Sequence, residues 1–275
     1  MPWTDFPFGE RSFIMGIVNV TPDSFSGDGL VATGEATVTR MRQLATEGAD
    51  ILDIGAESTR PGAEAISEDE EHARLAPLFT ALANDPALAT SLPPLSIDTT
   101  KPAIARAALA AGFRLINDVN GLLGDRRTAT AMAETAAEAR AGLIVMHNGR
   151  IAPITGDVIS SITGWLDQSI AIATTAGLAP EALVLDPGIG FGKTREQDIE
   201  ILRRLDEFHD LGRPLLIGAS RKRVIAHVLD LPIDERLEGT LAVTVAGVVQ
   251  GADIFRVHDV AANVRAARMA DAIFR

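Results

Sequence analysis

The 275-residue sequence contains no cysteine. That excludes disulfides, thiolate metal sites and a cysteine nucleophile, and it fits a reducing compartment, so a cytoplasmic location is expected. Tyrosine is also absent, and aromatic residues make up only 4% of a chain that is 47% hydrophobic. The core must therefore be built mostly of Ala, Val, Leu and Ile. Positive charge is scarce: 25 Lys and Arg stand against 37 Asp and Glu, for a net charge of −12. Nucleic acid and anionic membranes are disfavoured as general partners by that sign, although a local cluster of Arg, Lys and His can still hold an anion. No apolar run is long enough to cross a bilayer. The uncharged stretch GTLAVTVAGVVQGA (239–252) has 14 residues, where about 20 are needed. Its small residues predict a helix packed closely on a sheet. The start, MPWTDFPFGERSF, lacks a basic segment followed by an apolar run, so no leader peptide is expected. It reads either as a cover for one end of the fold or as a frayed end.

What the chain has in abundance is one repeating pattern. A short apolar run ends abruptly in a polar residue, and a loop and an amphipathic segment follow. The runs are FIMGIVNV (13–20), ADILDIG (49–55), PLSIDT (94–99), FRLINDV (113–119), GLIVMH (142–147), ALVLDPG (182–188), PLLIGAS (214–220) and ADIFRVHD (252–259). Helical segments such as 35–48, 101–112 and 195–208 lie between them. Near-continuous apolar strands alternating with helices imply a parallel sheet covered on its outer face. Eight such units without a composition break predict one α/β domain over 1–275, a single (β/α)8 TIM barrel with long loops after strands 1, 2 and 5. A doubly wound open sheet is the runner-up. It would want a glycine turn after its first strand, and that strand ends NVTPDS instead.

Several catalytic signatures are missing: strand 1 has no His-x-His, and there is no His-Glu-x-x-His or Gly-x-Ser-x-Gly. The stretch LVLDPGIGFGKT (183–194) imitates a phosphate loop, but only three residues separate Gly188 from Gly192, and a P-loop needs four. The strand ends are more informative, because in this fold they form the active face. They carry Asn19; Asp53 and Glu57; Asp98; Asn117 and Asp118; His147; Asp186; Ser220 to Arg223; and Arg256, His258 and Asp259. Each alone has a bland reading as a helix cap or a satisfied polar group. Together they are expected to converge on one mouth. Asn19, Arg256, His258 and Arg60 supply donors for an anion. Asp98, Asn117 and Asp186 supply acceptors for a flat, amine-rich ring, and Lys222 can donate to a ring carbonyl or nitrogen. The combination suits a pterin carrying a phosphate or diphosphate.

The ordered series MGIVNVTPDSFS, GAESTRPGA, SIDT, INDV, VMHN, LDPGIGFGKT, GASRKR and FRVHD covers almost the whole chain. It closely resembles the dihydropteroate synthase family, folate-pathway enzymes targeted by sulfonamides. The resemblance implies condensation of 6-hydroxymethyl-7,8-dihydropterin diphosphate with p-aminobenzoate, giving 7,8-dihydropteroate and pyrophosphate, with Mg²⁺ assisting. It implies a pterin pocket of Asp98, Asn117, Met146, Asp186, Phe191, Gly218 and Lys222. It implies a diphosphate site of Asn19, Arg256 and His258, with Asn19 also the metal contact and Arg60 contributed by a loop. Phe25, Thr59 and Pro61 would help enclose p-aminobenzoate. Asp98, Lys222, Arg256 and His258 are the expected catalytic group. In this reading GIGFGK is a loop whose glycines bring Phe191 close to the pterin, and Lys193 is no phosphate ligand. A homodimer formed through outer helices near the end is also implied.

The chain departs from the family pattern in places. Gly27 displaces Asp28 by one place relative to the usual SFSDGG, so that aspartate is not carried over, and GAESTRPG replaces GGESTRPG. Arg223 stands where some members place a serine near the p-aminobenzoate carboxylate. Two alternatives remain at this point: a methyltetrahydrofolate–corrinoid methyltransferase-like barrel, which needs neither STRPG nor RVHD, and a non-catalytic pterin-binding subunit.

Overall fold

The computed structural model describes Trp3 and residues 6–20, 34–58 and 64–275. Eight parallel strands form one sheet: β1 Phe13–Asn19, β2 Ile51–Gly55, β3 Leu95–Asp98, β4 Leu115–Asp118, β5 Gly142–Met146, β6 Leu183–Asp186, β7 Leu216–Ile217 and β8 Ile254–Val257. Their order is β6-β5-β4-β3-β2-β1-β8-β7. The ends of that order meet: a parallel bridge joins Leu185 to Leu215, and Leu185 N–H donates to Pro214 C=O at 2.9 Å. The sheet is thus a closed (β/α)8 barrel, as the eight apolar runs predict.

Side chains alternate across each strand. Outward residues such as Leu52, Ile54, Ile97, Ile116, Leu143, Val145, Leu185 and Phe255 belong to one large core shared with the helices. Inward residues Phe13, Met15, Ile51, Leu115, Ile144, Val184, Leu216 and Ile254 fill the barrel with Trp3 and Phe6. The N-terminal segment therefore covers the barrel bottom. Phe6 packs edge-on against Phe13 at 4.9 Å, and the Trp3 indole N–H donates to Ala182 C=O at 2.9 Å.

Helices cover the outside: α1 Gly34–Thr46, α2 Glu68–Asn84, α3 Pro86–Ser91, α4 Pro102–Ala110, α5 Arg126–Glu138, α6 Val158–Thr175, α7 Arg195–Arg203, α8 Arg223–Leu229, α9 Leu237–Val249 and α10 Val260–Phe274. The small-residue stretch forms α9, and it does pack closely on the sheet. A Cβ at Gly247 would lie 2.5 Å from the Phe255 ring. The segment 195–208 is not one helix: α7 ends at Arg203, and a 3₁₀ turn covers Leu205–Leu211. Gln250 explains the break. Its side-chain oxygen accepts from Leu205 N–H at 3.0 Å, and its Nε2 donates to Leu202 C=O at 2.7 Å. One distant amide thus supplies partners to backbone groups at the end of the helix.

Candidate active site

Parallel register assembles the site. Asn19 pairs with Gly55, Gly55 with Asp98, and Asp98 with Asn117; Met146 pairs with Asp186. With Arg256 from β8 and Gly218, just after β7, these positions ring the C-terminal mouth. A Cβ at Gly218 would lie 3.8 Å from Asp186 Oδ2 and 3.9 Å from Lys222 Nζ, which puts Gly218 between those two groups.

The floor is a charged bridge. Arg256 Nε donates to Asp53 Oδ2 at 2.6 Å, and an Nη donates to Asp98 Oδ2 at 2.6 Å. Asn117 Nδ2 donates to the same Asp53 oxygen at 3.0 Å. Burial pushes the Asp98 carboxyl up, the Arg256 guanidinium pulls it back, and the neighbouring Asp53 carboxyl pushes it further up. Burial opposes the Arg256 charge, but Asp53 and Asp98 outweigh it, so its pKa is raised. Arg256 is therefore anchored through two of its nitrogens, with its side chain still one-fifth exposed, at 20%.

The loop after β6 forms one wall. Asp186 Oδ1 accepts Gly188 N–H at 2.7 Å. Burial raises the Asp186 carboxyl and Lys222 opposes that shift. Lys222 Nζ donates to Ile189 C=O at 2.6 Å and lies 4.5 Å from the Phe191 ring centre. Burial pulls its ammonium down to about 8, against the attraction of Asp186. Phe191, Met146 and Val119 make a small apolar cluster beside these polar groups. A flat ring with donors on its edge matches a slot with one apolar wall and carboxylates facing inward.

Lys193 holds this loop in shape. Its buried Nζ donates to the carbonyls of Gly188 at 2.8 Å, His147 at 3.1 Å and Phe191 at 3.3 Å. Gly188 is required beside it: φ is +72°, and a Cβ there would lie 2.0 Å from His147 C=O. Lys193 is thus a structural staple between β5 and β6, consistent with its exclusion as a phosphate ligand.

At the opposite rim, His258 Nδ1 lies 3.0 Å from Ser220 Oγ, which also accepts His258 N–H at 3.2 Å. That hydroxyl can donate to Nδ1 or accept from it, so it holds the imidazole ring in place whichever ring nitrogen carries the hydrogen.

The expectation that all the polar strand-end groups converge is corrected at Asp118 and His147, and two further groups, Glu57 and Asp259, are taken up by ion pairs. Asp118 follows the inward Asn117 and so faces outward, where it accepts Asn120 N–H at 2.9 Å and Leu122 N–H at 2.8 Å. His147 is buried against Ala152 C=O at 2.9 Å. Glu57 pairs with Lys101 at 2.6 Å, and Asp259 pairs with Arg221. Phe25, Thr59, Arg60 and Pro61 lie outside the described residues. Sequence reasoning placed Asp53 at a strand end but gave it no role. Its parity with Gly55 on β2 was the available signal, because residues two apart share a face.

Among the described residues, no three His, Cys, Asp or Glu side chains are grouped to hold a metal. Asn19 ends β1 half-buried at the rim. It offers a single neutral oxygen, so a Mg²⁺ here would have to take its remaining ligands from substrate phosphates and water.

The family described as "Pterin binding enzyme" matches residues 15–258. A dihydropteroate synthase from Clostridium beijerinckii is 44% identical over 98% of this chain and 97% of its own. A dihydropteroate synthase structure from Clostridium difficile, solved in the presence of pteroic acid, is 45% identical with a TM-score of 0.90, covering 98% of this chain and 99% of that one. The Xanthomonas albilineans enzyme with 4-aminobenzoic acid is 40% identical with a TM-score of 0.86, covering 96% and 94%.

Proposed function

The chain belongs to the pterin-binding enzyme family and is a transferase of the dihydropteroate synthase type, joining 6-hydroxymethyl-7,8-dihydropterin diphosphate to p-aminobenzoate; we propose that the groups at the barrel mouth divide that reaction as follows. The observation that carries the division is the convergence of Asp98, Asn117, Asp186 and Lys222 around the Phe191 wall, with Arg256 bridging Asp53 and Asp98. Asp186 and Asn117 accept from the amine-rich edge of the pterin. Lys222 donates to its carbonyl or ring nitrogen. Met146, Phe191 and Gly218 shape the slot.

The reaction is a dissociative substitution. The bond from the exocyclic methylene carbon to the diphosphate oxygen breaks, and the electron pair leaves with pyrophosphate. Conjugation spreads the positive charge through the pterin ring, where Asp98 and Asp186 stabilise it. His258 and the remaining N–H groups of Arg256 are assigned to the leaving diphosphate. Asn19 would hold Mg²⁺, which when bound supplies charge neutralisation on the diphosphate. The lone pair of the aniline nitrogen then forms the C–N bond, and its proton passes to solvent, so no dedicated base is needed. Arg60 is assigned to the diphosphate, and Phe25, Thr59 and Pro61 to enclosing p-aminobenzoate, on the family resemblance alone. Incubation with both substrates and Mg²⁺ tests the reading. A product with the mass of 7,8-dihydropteroate is expected, and its absence under saturating substrates would overturn it.

We also propose a homodimer. Val228, Ile233, Met269 and Phe274 are 61%, 49%, 63% and 53% exposed on the C-terminal helices and the turn after α8, apolar side chains that such an interface would cover. Light scattering giving a monomer mass at micromolar concentration would refute it. No described helix is long and apolar enough to cross a membrane. A cytoplasmic location is proposed from the cysteine-free composition and is checked by cell fractionation.

A further inference from the structure

Asp53 lies one inward layer below the pterin contacts, in register with Ile17 on one side and Ser96 on the other. It is completely buried, two residues on from Ile51 of the apolar inner cluster. A carboxylate in such surroundings is unfavourable for folding unless well paired, and an apolar side chain of similar size would serve the barrel better. Its pairing is one-sided. Oδ2 takes both bonds, from Arg256 Nε at 2.6 Å and Asn117 Nδ2 at 3.0 Å, and Oδ1 has no partner among the described residues. Both partners are residues of the substrate site. Asp53 is thus explained better by that site than by the core.

We propose that Asp53 is a positioning residue that sets which way Asn117 faces, so that Asn117 presents its carboxamide oxygen to an N–H group of the pterin edge. The argument is one of polarity. Arg256 can only donate, so the Asp53 oxygen it contacts is an acceptor. Asn117 must then turn Nδ2 toward that oxygen, because the flipped amide would set oxygen against oxygen. Without a partner, a carboxamide can rotate and offer either polarity. Held by Asp53, it recognises a donor. The same oxygen fixes the Arg256 side chain through Nε, which leaves the far end of the guanidinium for Asp98 and the diphosphate.

This inference rests on the pterin reading, and the experiment separates the two. Titration calorimetry with 6-hydroxymethyl-7,8-dihydropterin diphosphate is run on the unaltered protein, Asp53→Ala, Asn117→Ala and the double variant. Asp53→Ala removes the acceptor that orients Asn117, whereas an asparagine there would keep its oxygen on Arg256 Nε and preserve the polarity. The alanine variant is expected to weaken binding on the order of tenfold or more, through the freed Asn117 carboxamide and the loosened Arg256. In the Asn117→Ala background the same change is expected to cost clearly less, because only the part carried by Arg256 remains. A purely structural role would give equal penalties in both backgrounds, and that result, or unchanged affinity in Asp53→Ala, overturns the inference. Failure of the unaltered protein to bind removes the pterin reading and this inference with it. A second measurement needs no substitution at Asp53. In labelled unaltered protein, the Asn117 side-chain NH₂ should be protected from hydrogen exchange before and after pterin binding. Loss of that protection on binding would show the carboxamide turning and would equally overturn the proposal.

Discussion

Asp186→Asn separates binding from stability. In the native site Oδ1 accepts Gly188 N–H at 2.7 Å, and the other oxygen faces the slot beside Gly218. The backbone N–H needs an acceptor, so an asparagine there keeps its oxygen on Gly188 and turns its NH₂ into the slot. A donor then meets the amine edge of the pterin. Losing a charge-assisted hydrogen bond costs about 1.5–3 kcal/mol, so pterin affinity should fall from about tenfold to over a hundredfold. Stability should move the other way or not at all. Burial raises the folded-state Asp186 pKa above its ordinary 3.8. The ionised form is therefore the penalised one: the penalty grows as pH rises above 3.8, is full above the raised folded-state value, and fades on acidification. Asparagine removes it, so the thermal midpoint at neutral pH should be unchanged or higher. Calorimetry with the pterin diphosphate and a thermal melt of the same sample read both quantities. Near-native affinity would refute the assignment of Asp186 to the pocket.

Other residues give sharper tests of the wall and the loop. Lys222 is pulled down to about 8, so its ammonium is present below that pH and lost above it. Pterin affinity should weaken as pH rises through this region, and Lys222→Arg, which keeps its charge, should flatten the alkaline limb; a limb unchanged in that variant would assign it elsewhere. Lys193→Met strips the donor from three loop carbonyls and should lower stability in urea by about 1–3 kcal/mol, with weakened pterin binding. Gly188→Ala forces φ of +72° on an L-residue and drives a Cβ to 2.0 Å from a backbone oxygen. The strain alone is about 1–2 kcal/mol, and a thermal midpoint equal to that of the unaltered protein would show that the loop can relax.

The barrel was legible because its strands are almost uninterrupted apolar runs, each stopped by a polar residue. Even β7, two residues long, was announced by PLLIGAS. The end of α7 was not legible, since Gln250 breaks it from far along the chain. The site was legible by residue type and less so by direction. Asn117 and Asp118 are both polar at one strand end, but parity allows only one to face inward. Lys193 sits where a phosphate loop would place its lysine, and only the folded approach of β5 to β6 shows the three carbonyls it holds. Asp53 needed register as well as type, because its role lies in the partners it orients.

The central claim is that this barrel couples pyrophosphate loss to attack by an aromatic amine. The most direct measurement is pyrophosphate release from 6-hydroxymethyl-7,8-dihydropterin diphosphate with Mg²⁺, followed with and without p-aminobenzoate. Sustained release that depends on p-aminobenzoate, and that matches dihydropteroate formed, is the expected result. Absence of release, or release at the same rate without p-aminobenzoate, would contradict the account and leave a barrel that binds a pterin without joining it to the amine.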